Sequence, residues 1–473
     1  MAGHVAGGVP GTPRPGGILL TKMATQMPAT PKYLQAAKQT GLSRPLARRT
    51  AARWWLVAPT LFLLVVVNQL DKTNIAVLIA DQRFLLELGL VGQHARIGLL
   101  STIFFFGYGF GLLAWGFVVD GLGPRRSAAI GVCGWALCTG WCAFVHGTNE
   151  LYAARLALGV AEGCIWPVCS AYARRWFPVR EHGRIQSLWV NGNQVGLALG
   201  LPIVSGLISV AGWRSVFTVL TAASLLLLEP LLLFLAPDDP ELSPHANRRE
   251  TEYIRANLAV SIAPRTDAPI RWISLAANRN LWILAGCQTG TVATLFGLTA
   301  WIPTYLIQAR GLALDALKGW VAASYLLPIA VALALGFVAD HTMRPAVVGA
   351  VSSGVVAVLV LMSVVVHSTV SAVLLLVTTL AAPMIYAAMN VSIVHGLVSL
   401  EQIGRATGLF VGFGNLVGGL APTIIGYLIS HFGGRYLAAF GFVSVIDLVL
   451  IGLYLVLDRV FANRASATQV QLA

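Results

Sequence analysis

Asn68, Asp71 and Lys72 stand three and four residues apart inside the otherwise apolar stretch Trp54–Ala80. On a helix those offsets place all three side chains on one face. About 20 apolar residues cross the hydrocarbon of a bilayer, so this stretch can span it with a slight tilt. A charge at that depth costs at least about 2.5–3.5 kcal/mol on the mildest scale, so the face must look into protein or a wet cavity. A second set lies in RLALGVAEG, Arg155–Gly163. Arg155 and Glu162 are two turns apart, about 10 Å along the axis on a shared face, with Glu162 near mid-membrane and Arg155 in the outer half. Two acids and two bases around one cavity form a set that can hold an anion and a proton together. The plainer alternative is a salt bridge that only ties two helices together. The pairing of both clusters argues against it.

Hydrophobic residues make up 57% of the chain and charged residues 11%, about half the charged share of a soluble protein. The apolar residues come in blocks of membrane-crossing length, which indicates a polytopic helical membrane protein. The net charge of +13 does not point to nucleic acid. Lys and Arg fall in the short gaps between apolar blocks and in the N-terminal tail, the pattern of cytoplasmic loops. Cys133, Cys138, Cys142, Cys164, Cys169 and Cys287 lie inside apolar blocks, where a thiol behaves as a small hydrophobe. No disulfide framework or metal-ligand spacing is present, and no cofactor is expected. The absence of G-x-x-x-x-G-K-[ST] argues against an ATP-driven pump. No nucleophile–base constellation suggests an enzyme.

These residues must be positioned by twelve apolar blocks, at about 54–80, 97–119, 127–146, 150–173, 185–209, 214–236, 281–308, 317–339, 345–366, 371–397, 405–430 and 436–458. The expected fold is an all-α membrane protein, twelve transmembrane helices in two six-helix bundles, residues 54–236 and 281–458. An even number of crossings puts both termini on one side. Arg125–Arg126, Arg174–Arg184, Arg248–Arg279 and Arg344 make that side the cytoplasm. The tail Met1–Arg53 lacks acidic residues and an early signal-like apolar region, and reads as disordered and cytoplasmic. Met23 and Met27 are alternative starts. The gap 237–280 reads as a cytoplasmic linker with a short amphipathic helix against anionic lipid head groups. Residues 459–473 form a cytoplasmic tail. GFVVD at Gly116–Asp120 recurs as GFVAD at Gly336–Asp340, six blocks later, the mark of a parallel internal repeat.

After GFVVD the chain runs Gly121-Leu122-Gly123-Pro124-Arg125-Arg126. An acid at a helix C-terminus is electrostatically unfavourable alone. Asp120 therefore needs an Arg or another helix's N-terminus to meet it in one conformation. Gly116, Asp120, Gly123, Arg125 and Arg126 resemble the gating motif between helices 2 and 3 of the major facilitator superfamily, G-x-x-x-D-R-x-G-R-R. Gly121 and Pro124 stand where that pattern has other residues, and this thins the loop's charge network. The later copy keeps only His341 and Arg344.

A closer resemblance is to that superfamily's anion:cation symporter family, whose members carry organic anions such as sugar acids with protons. It runs from about Ala58 to Leu457. Its residues are LDKTNI (Leu70–Ile75), Phe105-Phe106-Gly107-Tyr108, RLALGVAEG, WFP (Trp176–Pro178), VGLA (Val195–Ala198), GWRSVF (Gly212–Phe217), WIPTYL (Trp301–Leu306), GRATGLF (Gly404–Phe410) and GFGNLVGGLAP (Gly412–Pro422). The resemblance implies proton coupling at Asp71 and Glu162, and substrate contacts at Lys72, Arg155 and Tyr108. It also implies an amide contact at Asn193, beside Gln194, and another at Asn415. Lys72 departs from the family's Arg, trading a bidentate fork for a point charge.

Trp301 and Tyr305 read equally well as a lid over the substrate or as interface anchors. Gln288, Thr291, Tyr386 and Asn390 are further candidates for the cavity wall. Glu229 and Asp447 read as peripheral or locally paired acids. The function expected is import of a small mono- or dicarboxylate with protons by alternating access. The protein is expected to be a monomer in the inner membrane. Two rivals remain: an anion exchanger of the same fold without proton coupling, and a membrane-embedded anion sensor.

Overall fold

A helix bonds all its own backbone groups, which suits a chain whose apolar blocks have no water to bond. In a computed structural model, which describes residues 3, 52–178, 181–259, 275–312, 344–398 and 403–472, every regular element is helical. Helices α1 (Arg53–Leu78), α2 (His94–Leu122), α3 (Pro124–Phe144), α4 (Thr148–Trp176), α5 (His182–Ala211) and α6 (Trp213–Leu235) follow one another in the first half. The linker contributes α7 (Arg248–Ala259). In the second half come α8 (Arg279–Ala309), α9 (Pro345–Val365), α10 (Thr369–Leu397), α11 (in two pieces, Ile403–Gly418 and Ala421–His431) and α12 (Tyr436–Leu472). Ten of the described helices are long and apolar enough to cross a membrane, and α10 covers a further block over 29 residues. The block at 317–339, the GFVAD copy and residues 4–51 of the tail lie outside the described residues.

The turns follow the local chemistry. Gly123, at φ +82°, ends α2, and Pro124 opens α3, because proline at a first helical position gives up only a donor with no intrahelical partner. Gly212, at φ +78°, makes the same kind of corner between α5 and α6. Asn278 accepts from the Asn280 and Leu281 N–H groups to start α8, and Ser368 accepts from Ser371 to start α10.

Within the first half α1 packs on α5, α2 on α4, and α3 on α4 and α6. Within the second, α8 packs on α10, α11 and α12, and α9 on α10 and α12. The halves meet where α2 lies along both pieces of α11 and where α1 touches α8.

Two details extend the sequence reading. The first helix begins at Arg53, whose guanidinium is buried and donates to Glu181 Oε2 (Nε, 3.0 Å) and Glu250 Oε1 (Nη1, 2.9 Å). Glu250 also accepts from the Ala52 and Arg53 N–H groups. It thereby satisfies donors that a helix start leaves open. The linker helix α7 is thus docked on protein, with Ile254 buried and the Tyr253 hydroxyl donating to Glu181.

Candidate functional site

The site begins with glycines. Gly107 and Gly111 on α2 face Leu156 and Val160 on α4, while Gly159 and Gly163 on α4 face Phe104, Tyr108 and Gly111 on α2. A Cβ at Gly159 would fall 2.8 Å from the Tyr108 nitrogen, and one at Gly163 would fall 2.5 Å from the Gly111 carbonyl carbon. Small residues four apart let two membrane helices touch backbone to backbone. This contact sets the Phe104 and Tyr108 rings beside the charged face of α4. The first stretch of α4 ends at Glu162, and the helix resumes at Ile165.

Asn68, Asp71, Lys72, Tyr108, Arg155 and Glu162 are all buried. Among the described residues, no ion pair within 4.0 Å joins these acids and bases. The acids are held by neutral donors instead. Asn68 Nδ2 donates to Glu162 Oε2 at 2.7 Å, Thr139 Oγ1 to Asp71 Oδ2 at 2.5 Å, and Asn74 Nδ2 to Asp71 Oδ1 at 2.9 Å. The cations rest on aromatic faces. Lys72 Nζ is 4.1 Å from the Tyr108 ring centroid, and the Arg155 guanidinium carbon is 4.6 Å from that of Phe104. Arg155 Nε, Nη1 and Nη2, Glu162 Oε1 and the Tyr108 hydroxyl are buried with no hydrogen-bond partner among the described residues. A tying salt bridge would have consumed the guanidinium. Here its donors, in a geometry that matches a carboxylate, are all unspent.

Thr139, Asn74 and Phe104 are part of this arrangement and were not singled out from the sequence. Thr139 is a lone hydroxyl in an apolar block and carries little signal. Phe104 precedes Tyr108 by one turn, which marks the same face.

The other candidates come from α5, α6, α8, α10, α11 and α12. Asn193 is half-buried and Gln194 buried on α5, and Gly192 and Gly196 press α5 against α1. Asn415 is buried and donates to the Val411 carbonyl of its own helix at 2.8 Å. The Tyr305 hydroxyl is taken up by packing: it donates to the Ser363 carbonyl (2.9 Å) and accepts from Arg310 Nε (2.6 Å). Trp301 is buried and donates to the Pro422 carbonyl at 2.9 Å. Gln288 and Asn390 hydrogen-bond to each other at 2.9 Å. Asp447 is fully buried and accepts from Thr294 (3.0 Å) and Tyr386 (3.1 Å), a locally paired acid. Glu229 is half-buried.

At the basic end Asp120 meets Arg174 of α4 at 3.9 Å, the Arg its helix-end position calls for. Gly116 is in open surroundings. The Arg125 N–H donates to Asp238 Oδ1 at 2.8 Å and its side chain to the Leu233 carbonyl. Asp238 and Asp239 also lie 3.9 and 3.8 Å from Arg175. The acids just after α6 thus occupy the thinned loop. Gly123 is required there by its positive φ and by Asp238, 2.9 Å from where a Cβ would sit.

A bundle of membrane-length helices with a buried set of unpaired cations and acids is the form of a secondary transporter. The Major Facilitator Superfamily profile matches residues 61–397, and the chain belongs to that family. It is 28% identical over 288 residues to an Escherichia coli K12 protein named "Probable L-galactonate transporter", covering 60% of this chain and 61% of that one. It is 24% identical over 428 residues to the D-galactonate transporter of Escherichia coli O6:H1, covering 86% and 97%. Among solved structures it matches an inward-facing, unoccupied bacterial homologue of the human lysosomal transporter Spinster. The TM-score is 0.69 at 15% identity, over 88% of this chain and 98% of that one, and this likeness concerns the fold. The protein is therefore a multi-pass membrane transporter of the major facilitator fold, not an enzyme, and its relatives accord with the sugar-acid branch resembled by its motifs.

Proposed function

We propose that this chain imports a small organic anion of the sugar-acid class together with protons, by alternating access of its two bundles. The observation that carries this reading is the buried Arg155 guanidinium, with every nitrogen unpartnered among the described residues, beside Lys72 and two acids that these residues hold by neutral donors. An arginine kept in that state is poised for a planar anion, and its bidentate fork suits a carboxylate. Lys72 supplies a second positive charge without a fork, and the Tyr108 hydroxyl a polar contact. Asp71 and Glu162 carry the protons: neutralising either changes the charge that the two cations see. The hydroxyl-rich sugar acids named for the relatives fit a site with unspent donors and acceptors. Asn193, Gln194 and Asn415 approach the substrate from α5 and α11 as the bundles move, and Tyr305 holds the non-basic end. The basic turns support an orientation in the inner membrane with both termini on the cytoplasmic side, and the monomer is the working unit of this reading.

The test is uptake of labelled D-galactonate and L-galactonate into proteoliposomes, with and without an inward-directed proton gradient. Accumulation that a protonophore abolishes is the expected result. Uptake that needs a trapped counter-anion and ignores the protonophore would make the protein an exchanger. Binding without uptake would make it a sensor.

A further inference from the structure

Away from that site, three helices of the second half are joined by two polar rungs inside an apolar bundle. On the first rung Asp447 (α12) accepts at Oδ2 from Thr294 Oγ1 (α8, 3.0 Å) and at Oδ1 from the Tyr386 hydroxyl (α10, 3.1 Å). On the second, Asn390 (α10) accepts from the Tyr454 hydroxyl (α12, 2.8 Å) and donates to Gln288 Oε1 (2.9 Å) and Thr291 Oγ1 (3.3 Å) on α8. The rungs share helix faces: Thr291 and Thr294 are three apart, Tyr386 and Asn390 four, Tyr454 and Asp447 seven. Asp447 is fully buried, and no cation lies within 4.0 Å among the described residues. Among the described residues, the titratable groups near this rung are Tyr386 from α10, which bonds Asp447, and Tyr454 from its own helix, with Cys287 of α8 beside Tyr454. From α9, Ser352 and Ser353 approach Tyr386. The second piece of α11 carries Tyr427 and His431, both exposed.

Tyr386 has one hydroxyl proton and two acceptors in reach, Asp447 Oδ1 at 3.1 Å and the Ser352 carbonyl of α9 at 3.3 Å. It can serve one at a time. With Asp447 ionised, the hydroxyl donates to the carboxylate. With a proton on Oδ1, Asp447 becomes the donor to the Tyr386 oxygen, and the tyrosine proton turns to the Ser352 carbonyl. Thr294 donates to Oδ2 in both cases. Both protonation states leave every group of this rung satisfied, a condition that a purely structural buried acid has no need to meet.

We propose that Asp447 is a second protonation site, distinct from Asp71 and Glu162, and that its proton reverses the Tyr386 hydroxyl. Because α8, α10 and α12 also hold the second rung, the reversal is felt at Gln288. That residue is half-buried and packs on Gly414 of α11, beside Asn415. Proton occupancy in this half is thereby linked to α11, the helix that lies along α2 of the other bundle.

The experiment needs no transported anion, so its outcome is separate from the uptake test. Infrared difference spectra between acid and alkaline pH are recorded on the full chain in lipid nanodiscs, in sodium and in choline buffer. Asp71→Asn and Glu162→Gln serve as controls that remove their own bands. The expected result is a protonated-carboxyl band that vanishes on raising the pH, accompanied by a shift of a tyrosine C–O band. Asp447→Asn loses both, and Tyr386→Phe loses the tyrosine shift while keeping a carboxyl band. A difference spectrum unchanged by Asp447→Asn overturns the site. A tyrosine shift that survives Tyr386→Phe overturns the reversal even if Asp447→Asn does not fold. Bands that follow sodium instead of pH reassign the pocket to a metal cation and overturn the proton reading.

Discussion

At the scale of single residues, the contrast lies between acids that are tied and cations that are not. Asp71 and Glu162 accept from Thr139, Asn74 and Asn68, while Lys72 and Arg155 lie over rings. Arg155→Ala removes the unspent donors, and galactonate affinity measured by calorimetry is expected to fall by about 2–5 kcal/mol, the cost of truncating one partner of a buried charge pair. Arg155→Lys keeps the charge without the fork and should fall between parent and Ala. Equal affinity in Arg155→Ala would remove the residue from the site. Glu162→Gln keeps size and one acceptor, and it still receives the Asn68 hydrogen bond. It is expected to exchange galactonate between equal pools while losing accumulation under a pH gradient; full accumulation would move the proton path to Asp71. The charged members of this site were legible in the sequence because a charge inside an apolar block needs a reason. Thr139 was not, since a hydroxyl there can bond its own helix, as Thr60, Thr73 and Thr291 do.

At the scale of elements, the site depends on how closely α2 and α4 approach. The glycines at 107, 159 and 163 were visible as parts of motifs, yet that α2 and α4 meet along them, and along Gly111, became evident only from the packing. Sequence spacing defines a face without naming the helix opposite it. Gly159→Ala must push α4 from the Phe104 carbonyl and the Tyr108 nitrogen. A cost of about 1–3 kcal/mol in thermal unfolding is expected, together with weakened anion binding as the Phe104 ring separates from Arg155. An unchanged melting temperature would show that the helices have slack. A second element-scale device is the clasp of Arg53, Glu181, Glu250 and α7. Burial pushes the Glu181 carboxyl up, but hydrogen bonds from Arg53, Tyr253 and Trp54 and the charge of Arg53 more than offset this and hold it below the usual glutamate value. A carboxyl lowered on folding stabilises above its unfolded pKa and loses that contribution as pH falls through the folded value. The stability gap between parent and Glu181→Gln should thus be level near neutrality and close below about pH 4. A gap that persists in acid would mean that the clasp acts through packing alone.

At the scale of the whole molecule, the lengths of the apolar blocks made the helical membrane fold legible, because they follow from what a bilayer tolerates. The contact between the halves was not legible, since it depends on surfaces far apart in sequence. At the end away from the basic turns, the Thr102 hydroxyl donates to the Gly419 carbonyl at 2.8 Å and accepts from Thr423 at 2.8 Å. Phe105 and Phe296 lie 3.9 Å apart, and Gly98 and Gly426 let α2 and α11 meet at Pro422 and His94. If transport requires the bundles to rock, this contact must open once in each cycle. Thr102→Cys with Thr423→Cys, in a chain whose six native cysteines are replaced by alanine or serine, puts two sulfurs where the hydroxyl oxygens are 2.8 Å apart, close enough to bond after small adjustment. Oxidation is expected to abolish galactonate uptake into proteoliposomes, and reductant to restore it. Each single cysteine variant should be indifferent to oxidant. The oxidised form should still bind galactonate from the basic side. Turnover at the parental rate with the disulfide formed would mean that this end never opens, and rocking of one half against the other could not be the mechanism.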